Sequence, residues 1–513
     1  MQSVGFGPTR DPEGICAINR AHNLIEFKAA LQLIDFASQI FTYADRKGNI
    51  GYFVSGEVPL REDLQNPVPM SPITPPFLIR NGFTGNDWIP VGGSLPPNQA
   101  TPFEILPFAE MPQVVNPSSG NIVNANNDQV GNTLDNDPLN DRRDGGRLLY
   151  LNWGGRNFSI RAGRVTETIN ERLSRGRGRI SFGQMKAMQA DTVLNDAKAL
   201  TPFILEAYDN AGSSGAHPVL ASIAADPRVG EAVGRLRRWN FTTPTGIPEG
   251  YDADADQVEV RASVAATIYS LWRGTIVANT IDATLDGLGV ATGISDVPRP
   301  GKREEVVTAL KHLLERDGVG DSGLNFFNGP DDDPATRRDI VVLASLADAL
   351  DLLASDDFAP AFANSTNQSD YRWGKLHRIE FKHPLGDSAP EFNVPPAFGR
   401  FPAPLVGLAG IPVDGGFETV DQAPPLDANN IRVTDSDSLM FEFGPTGRFV
   451  ARLAKRVKAE TSLPGGESFV PGNPFYVNLL EPWLRNETFR MLVSLDDVQM
   501  DAVLIQEFVP AGP

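Results

Sequence analysis

Ala44-Asp45-Arg46-Lys47-Gly48-Asn49-Ile50-Gly51-Tyr52-Phe53 is the stretch whose reading decides the fold. Ile40, Phe41, Thr42 and Tyr43 precede its middle, and Ile50, Tyr52 and Phe53 follow it. These flanks are β-branched or aromatic, and Lys47-Gly48-Asn49 supplies residues that tolerate positive φ in a tight turn. Residues 40–53 therefore read as a β-hairpin. Pro59-Leu60-Arg61 comes next. Further on stands Pro117-Ser118-Ser119-Gly120-Asn121-Ile122-Val123-Asn124-Ala125-Asn126-Asn127. Residues 117–127 read as a turn and then a strand, which would set Asn124 and Asn126 on one face. Asparagine is disfavoured in strands, so two on one face suggest amides aimed at something polar. The alternative is a turn or an internally satisfied network.

Outward from this region, composition bounds the answer. A chain of 513 residues can bury a large core in one to three domains. Its net charge of −19 argues against a nucleic-acid or anionic-membrane partner, because either would be met by a basic surface. A single cysteine, Cys16, excludes an intrachain disulfide and the cysteine-rich zinc sites. Cys16 itself reads as a small buried hydrophobe. The most apolar run, 340–353, is broken by Asp348 and Asp351 and fits an amphipathic core helix rather than a membrane span. The first seven residues have neither the basic nor the apolar region of a signal peptide.

Asn23 and Glu26 predict a helix start, with Leu24, Phe27, Leu31 and Ile34 on its apolar face. Residues 62–112 read as long loops with short strands around Trp88, Ile89 and Val91, and 128–147 as a polar loop. Helices are expected over 160–174, from the Ser181/Gln184 capping box, and over 198–210, 218–238, 257–288, 301–316 and 336–355. Asp331-Asp332-Asp333 reads as a solvated linker. From about 370 the pattern returns to strands at 377–381, 440–443 and 448–450, with a turn at 464–468. The order β, α, β implies an α+β fold whose sheet is built from distant parts of the chain.

Catalytic motifs are sparse. The chain has no G-x-S-x-G elbow, P-loop or H-E-x-x-H. Gly318-Val319-Gly320-Asp321-Ser322-Gly323 spells G-x-G-x-x-G but follows a helix, so it reads as a loop. His377 and His383 form only a weak metal pair.

In this order and at about this spacing, the hairpin and the asparagine segment resemble the catalytic β-chain of the penicillin acylase family of N-terminal-nucleophile amide hydrolases. Further tags extend the resemblance: Ala162-Gly163-Arg164-Val165-Thr166-Glu167, Met188-Gln189-Ala190-Asp191 and Trp373-Gly374-Lys375-Leu376-His377-Arg378. Pro412-Val413-Asp414-Gly415-Gly416 with Thr419-Val420, Phe443-Gly444-Pro445 with Arg448, and Pro464-Gly465-Gly466 complete the set. The family's β-chain opens with Ser-Asn-x-Trp, and no such sequence occurs here. Gly466-Glu467-Ser468-Phe469 and Asn473-Pro474-Phe475 also depart from the family's Gly-Gln-Ser-Gly and Ser-Pro-His.

The resemblance implies an αββα layered sandwich with a large helical insertion. Residues 1–160 would carry core strands and the oxyanion asparagine, 161–365 a mainly helical region, and 366–513 a return to the core sheet. It implies cleavage of the linear amide of an N-acyl small molecule, antibiotic processing being one such role. The nucleophile-bearing segment and the α-chain are expected to lie outside this chain, so that alone it would be inactive. The other reading is a non-catalytic scaffold or binding module derived from the family. Asn126 resembles the oxyanion donor, and Arg164 the arginine that borders the site. No organic cofactor is implied. A structural Ca²⁺ is, and Pro59 and Asp137 stand where two of its ligands are expected. Location by resemblance would be periplasmic or secreted.

Overall fold

The computed structural model describes residues 3–36, 38–65, 87–129, 142–143, 147–148, 160–248, 255–293, 304–385, 388–394, 405, 407–421, 432–440, 447–504 and 506–509. Two compact units are present: residues 1–159 with 453–456, and residues 160–452 with 457–513. No helix among the described residues is long and apolar enough to cross a membrane.

In the first unit, helices α1 (Asp11–Arg20) and α2 (Leu24–Leu31) precede strands β1 (Gln39–Ala44) and β2 (Ile50–Ser55). Asn23 caps α2 as expected, accepting the Glu26 N–H. The expected hairpin forms, with Phe41 opposite Phe53 and Tyr43 opposite Gly51. Asp45 organises its turn. One carboxylate oxygen accepts the Lys47 and Asn49 N–H groups and the other the Asn49 amide. Gly48, at φ 91°, takes the left-handed position. A third strand, β3 (Gln113–Val115), adds to β2, which is thus central. Val54, Leu60, Leu106 and Met111 form the core beneath this sheet.

Helix α1 was not evident in the sequence, and it corrects the expectation for Cys16, which is exposed. The face of α1 that packs is the one bearing Gly14, where a Cβ would stand 3.0 Å from the Leu33 carbonyl oxygen. Two residues further on, Cys16 points about 200° away around the helix.

The expected strand at 121–127 is absent. Ala125 and Asn126 form a bend, and the other residues of the segment carry no regular structure. The reason is local: asparagine side chains capture the N–H groups that a strand ladder would need. Asn124 Oδ1 accepts the Asn126 N–H at 3.1 Å, and Asn127 Oδ1 accepts the Ala125 N–H at 3.0 Å.

The second unit is built on helices α3 (Ile160–Arg175), α4 (Phe182–Met188), α5 (Asn195–Ala211), α6 (Pro218–Ala224), α7 (Pro227–Leu236), α8 (Gln257–Val277), α9 (Ala283–Thr292), α10 (Glu304–Glu315) and α11 (Pro334–Leu353). Helix α8 is central and buried on nearly every side from Ala262 to Val277. The single helix expected over 218–238 is two, because Asp226 caps and Pro227 starts a new one. The helix expected over 257–288 is interrupted by a π-turn at Ala278–Asp282. Asp333, expected in a solvated linker, is the N-cap of α11, with Pro334 in its first turn. The glycine-rich 318–323 segment is a loop, as expected, with Gly318 at φ 91° closing over Phe327.

The later strands are short. β4 (Arg378–Ile379) pairs with β5 (Ile411–Pro412), so the strand expected over 377–381 is only two residues, with Phe381 bridging separately to Val394. β6 (Arg448–Arg452), β7 (Lys458–Ser462) and β8 (Phe489–Arg490) form an antiparallel sheet with β7 in the middle. Of the strand expected at 440–443, residues 441–443 lie outside the described residues, and Met440 ends a turn instead. Asp137 also lies outside them.

Candidate functional site

In the first unit the asparagine segment follows β3 directly. Asn116 clamps the start of this loop. Its N–H donates to the Ile50 carbonyl at 2.9 Å, and its Oδ1 accepts the Ile50 N–H at 2.9 Å. Gly120, at φ 70°, closes the next turn on Pro117. Asn126 then adopts φ 58°, a left-handed conformation that asparagine tolerates better than most residues. Its backbone is pinned there by Asn124, and its side chain is exposed. Asn124 is therefore a backbone acceptor, not a second amide on the same strand face.

Pro59 is buried and sits in an antiparallel bridge with Ile105. The ladder bonds fall on either side of it: Leu60 N–H to the Glu104 carbonyl, and Leu106 N–H to the Val58 carbonyl. The Pro59 carbonyl is not an acceptor in this ladder. Among the described residues no three acidic, histidine or cysteine side chains group to hold a metal. Pro59 supplies one oxygen, which fits a calcium ligand in type but does not make a site.

Nearby, a polar network escaped sequence reading. Asp35 is fully buried and accepts the Arg10 guanidinium at 2.6 Å. Glu57 accepts the Ala100 and Thr101 N–H groups at 2.6 and 2.7 Å. Burial pushes the Glu57 carboxyl up, against these backbone donors.

Arg164, in the second unit, lies on α3 with every guanidinium nitrogen engaged. Nε and Nη2 grip the Asp191 carboxylate as a fork, and Nη1 donates to Glu167 at 2.9 Å. Glu167 is held in turn by Lys198. The hydrogen bonds to Asp191 raise the Arg164 pKa further above its ordinary value. Asp191 also accepts the Val193 N–H through its side chain and the Asp421 N–H through its carbonyl. The Asp421 carboxylate is fully buried and accepts Arg448 at 2.7 Å. Arg448 lies over the Trp483 ring, 5.1 Å from its centroid. Four residues from three tags and one untagged position thus form a single chain of contacts.

The other tags in this unit support the same frame. Trp373 Nε1 donates to the Gly415 carbonyl at 2.7 Å, and its ring stacks on His377 at 5.1 Å. Gly416 N–H donates to Thr419 Oγ1, which fixes the Pro412–Thr419 turn. His377 is buried with Nδ1 3.1 Å from the Val413 carbonyl oxygen, whereas His383 accepts the Leu385 N–H through Nδ1. The two histidines have separate local roles and form no metal pair. Sequence reading missed Asp421. The Arg448 tag was the one signal toward it, since a buried arginine requires an acceptor.

An α+β protein with such a frame is compared most directly with amide hydrolases. The profile of the penicillin amidase family, described as "Penicillin amidase", matches residues 2–500. The chain belongs to this family and is accordingly an acylase-like amidohydrolase by class. Its structure is similar to that of a thermostable penicillin G acylase from Alcaligenes faecalis, at 15% identity and a TM-score of 0.55. That match covers 98% of this chain and 73% of the other. A search of curated proteins finds no match.

Proposed function

We propose that this chain forms part of an enzyme that hydrolyses the linear amide bond of an N-acyl small molecule, within an αββα N-terminal-nucleophile framework. The observation that carries the reading is the family match over residues 2–500. The nucleophile is an N-terminal serine supplied from outside these residues, since Ser-Asn-x-Trp does not occur in them. Its free α-amine, with an unperturbed pKa of about 7.7–8.0, takes the hydroxyl proton as the oxygen attacks the amide carbon. The proton then passes to the leaving amine, and water hydrolyses the acyl ester.

Asn126 donates its side-chain amide to the oxyanion of the tetrahedral intermediate. Support comes from its exposure and from the left-handed backbone fixed by Asn124. The backbone that carries the amide is held in place, which limits the reorganisation needed when charge develops. Arg164 is a positioning residue, since its guanidinium is committed to Asp191 and Glu167. The Pro59 carbonyl and Asp137, together with ligands from elsewhere, would hold the structural calcium that the family resemblance implies. It would bind and order loops without entering the reaction.

The test uses the enzyme assembled with its nucleophile-bearing segment and a panel of chromogenic acyl-anilides and N-acyl-homoserine lactones. Hydrolysis through a stoichiometric acyl ester on the hydroxyl of an N-terminal serine is the expected result. No turnover and no acyl-enzyme across the panel would overturn the reading and leave a non-catalytic scaffold. Elemental analysis of the purified enzyme, about one calcium per chain being expected, tests the metal.

A further inference from the structure

A cavity of about 360 Å³ opens in the second unit between the C-terminal end of α7 and the first two turns of α8. Arg235, Arg238 and Arg261 line it, together with Trp239, Val258 and Ala262. Three guanidinium groups on one small cavity are unusual in a chain of net charge −19. Five other arginines of this unit are neutralised by aspartates: Arg164 by Asp191, Arg228 by Asp226, Arg273 by Asp196, Arg338 by Asp339 and Arg448 by Asp421.

Here the balance differs. Arg235 is met by Glu231 at 2.7 Å. Among the described residues, the Arg238 and Arg261 side chains have no ion-pair or hydrogen-bond partner. A fourth arginine, Arg372, stands close by. Burial lowers its pKa, and repulsion from Arg235 adds to that, while Asp370 opposes both. Arg238 is satisfied in part by the negative end of α7. Arg261 is not, because it sits in the second turn of α8, near that helix's positive end. Among the described residues, two of the three charges lining the cavity therefore have no carboxylate partner.

The rest of the lining is Asn240 and the apolar Trp239, Val258 and Ala262. Trp239 is held rigidly by donation of Nε1 to the Thr242 carbonyl at 2.8 Å, and it packs on Phe241 and Tyr269. Val258 and Ala262 flank it on one face of α8. Guanidinium forks match the two oxygens of a carboxylate. The volume is at the small end for ligand pockets.

We propose that this cavity binds a small organic carboxylate, its two oxygens held by Arg238 and Arg261 and its apolar body against Trp239 and Val258. The site uses none of the residues assigned to acyl transfer and stands whether or not the amidase reading holds.

Calorimetric titration of the 513-residue chain with benzoate, neutral benzamide and inorganic phosphate tests it. Benzoate is expected to bind at one site per chain and more weakly as salt is raised. Arg238→Met and Arg261→Met should each lower its affinity about tenfold, since a charge-assisted bond is removed while the stem is kept. Both residues are exposed and, among the described residues, have no ion-pair or hydrogen-bond partner, so the variants should melt with the parent. Benzamide binding as tightly as benzoate, or affinity unchanged in both variants, would overturn the site. Phosphate binding as tightly as benzoate would overturn the assignment to an organic carboxylate.

Discussion

Replacing Arg273 with methionine should destabilise the helical unit by more than an ordinary core substitution. Arg273 Nη1 donates to Asp196 Oδ2 at 2.7 Å, and both side chains are 1% exposed. Tyr269 donates to the same oxygen at 2.9 Å, and burial raises its pKa well above the usual phenol value, so it remains a donor. The guanidinium also lies 4.5 Å from the Phe417 ring centroid. Arg273→Met keeps most of the apolar stem but leaves Asp196 inside the core with Tyr269 as its remaining donor. Breaking one side of a buried pair costs about 3–5 kcal/mol. At about 2 °C per kcal/mol for a large domain, the melting temperature should fall by about 6–10 °C. The double variant Asp196→Leu/Arg273→Met removes both charges and should recover most of the loss, because a buried pair exchanged for apolar groups is often neutral. Scanning calorimetry of the parent, both single variants and the double variant measures this. A single variant melting within about 2 °C of the parent, or a double variant no more stable than Arg273→Met, would refute the reasoning.

Three further outcomes are expected. Asn126→Gly preserves the left-handed backbone and deletes the amide, so in the assembled enzyme kcat should fall about 10²–10³-fold with KM little changed. A near-normal kcat removes Asn126 from the mechanism. Arg164→Lys keeps the charge but not the fork to Asp191, so it should lower kcat/KM about as much as Arg164→Met. Full activity in the lysine variant would remove the positioning role. Glu460 accepts Thr488, Lys458 and Lys186, which hold its carboxyl at about 2, below the ordinary 4.5. The folded pKa is depressed, so its contribution is present above pH 4.5 and lost as pH falls towards 2. Glu460→Gln should accordingly melt lower than the parent at neutral pH, with the gap closing across that window. A gap constant with pH would refute the assignment.

Local signals were legible in the sequence. The 40–53 hairpin followed from β-branched flanks around Lys47-Gly48-Asn49, and the Asn23 and Ser181 caps from side chains that serve their own helix starts. Where a side chain competes with the backbone, the pattern misled. Asn124 and Asn127 read as strand residues but bind N–H groups within two positions. Pairings at long range were not legible at all. Arg164 could be singled out, but its partner Asp191 is 27 residues away, and nothing local marks Asp421 as the group that receives Arg448. The arginine cavity was equally invisible, since it requires knowing that Arg238, just beyond α7, and Arg261, on α8, line one cavity.

The contact chain through Asp191, Asp421 and Arg448 has a consequence for the order of synthesis. Arg448 reaches back to the Gln189 carbonyl across 259 residues. At about 5–20 residues per second, a ribosome needs roughly 13–52 s to make that interval. Throughout it, the Arg164–Asp191 pair can form, but the strand that closes over it has not emerged. The helices between can collapse on α8 in the meantime. Closure of this chain of contacts is therefore timed by translation of β6, and slowing the ribosome before it prolongs the exposure of an open frame.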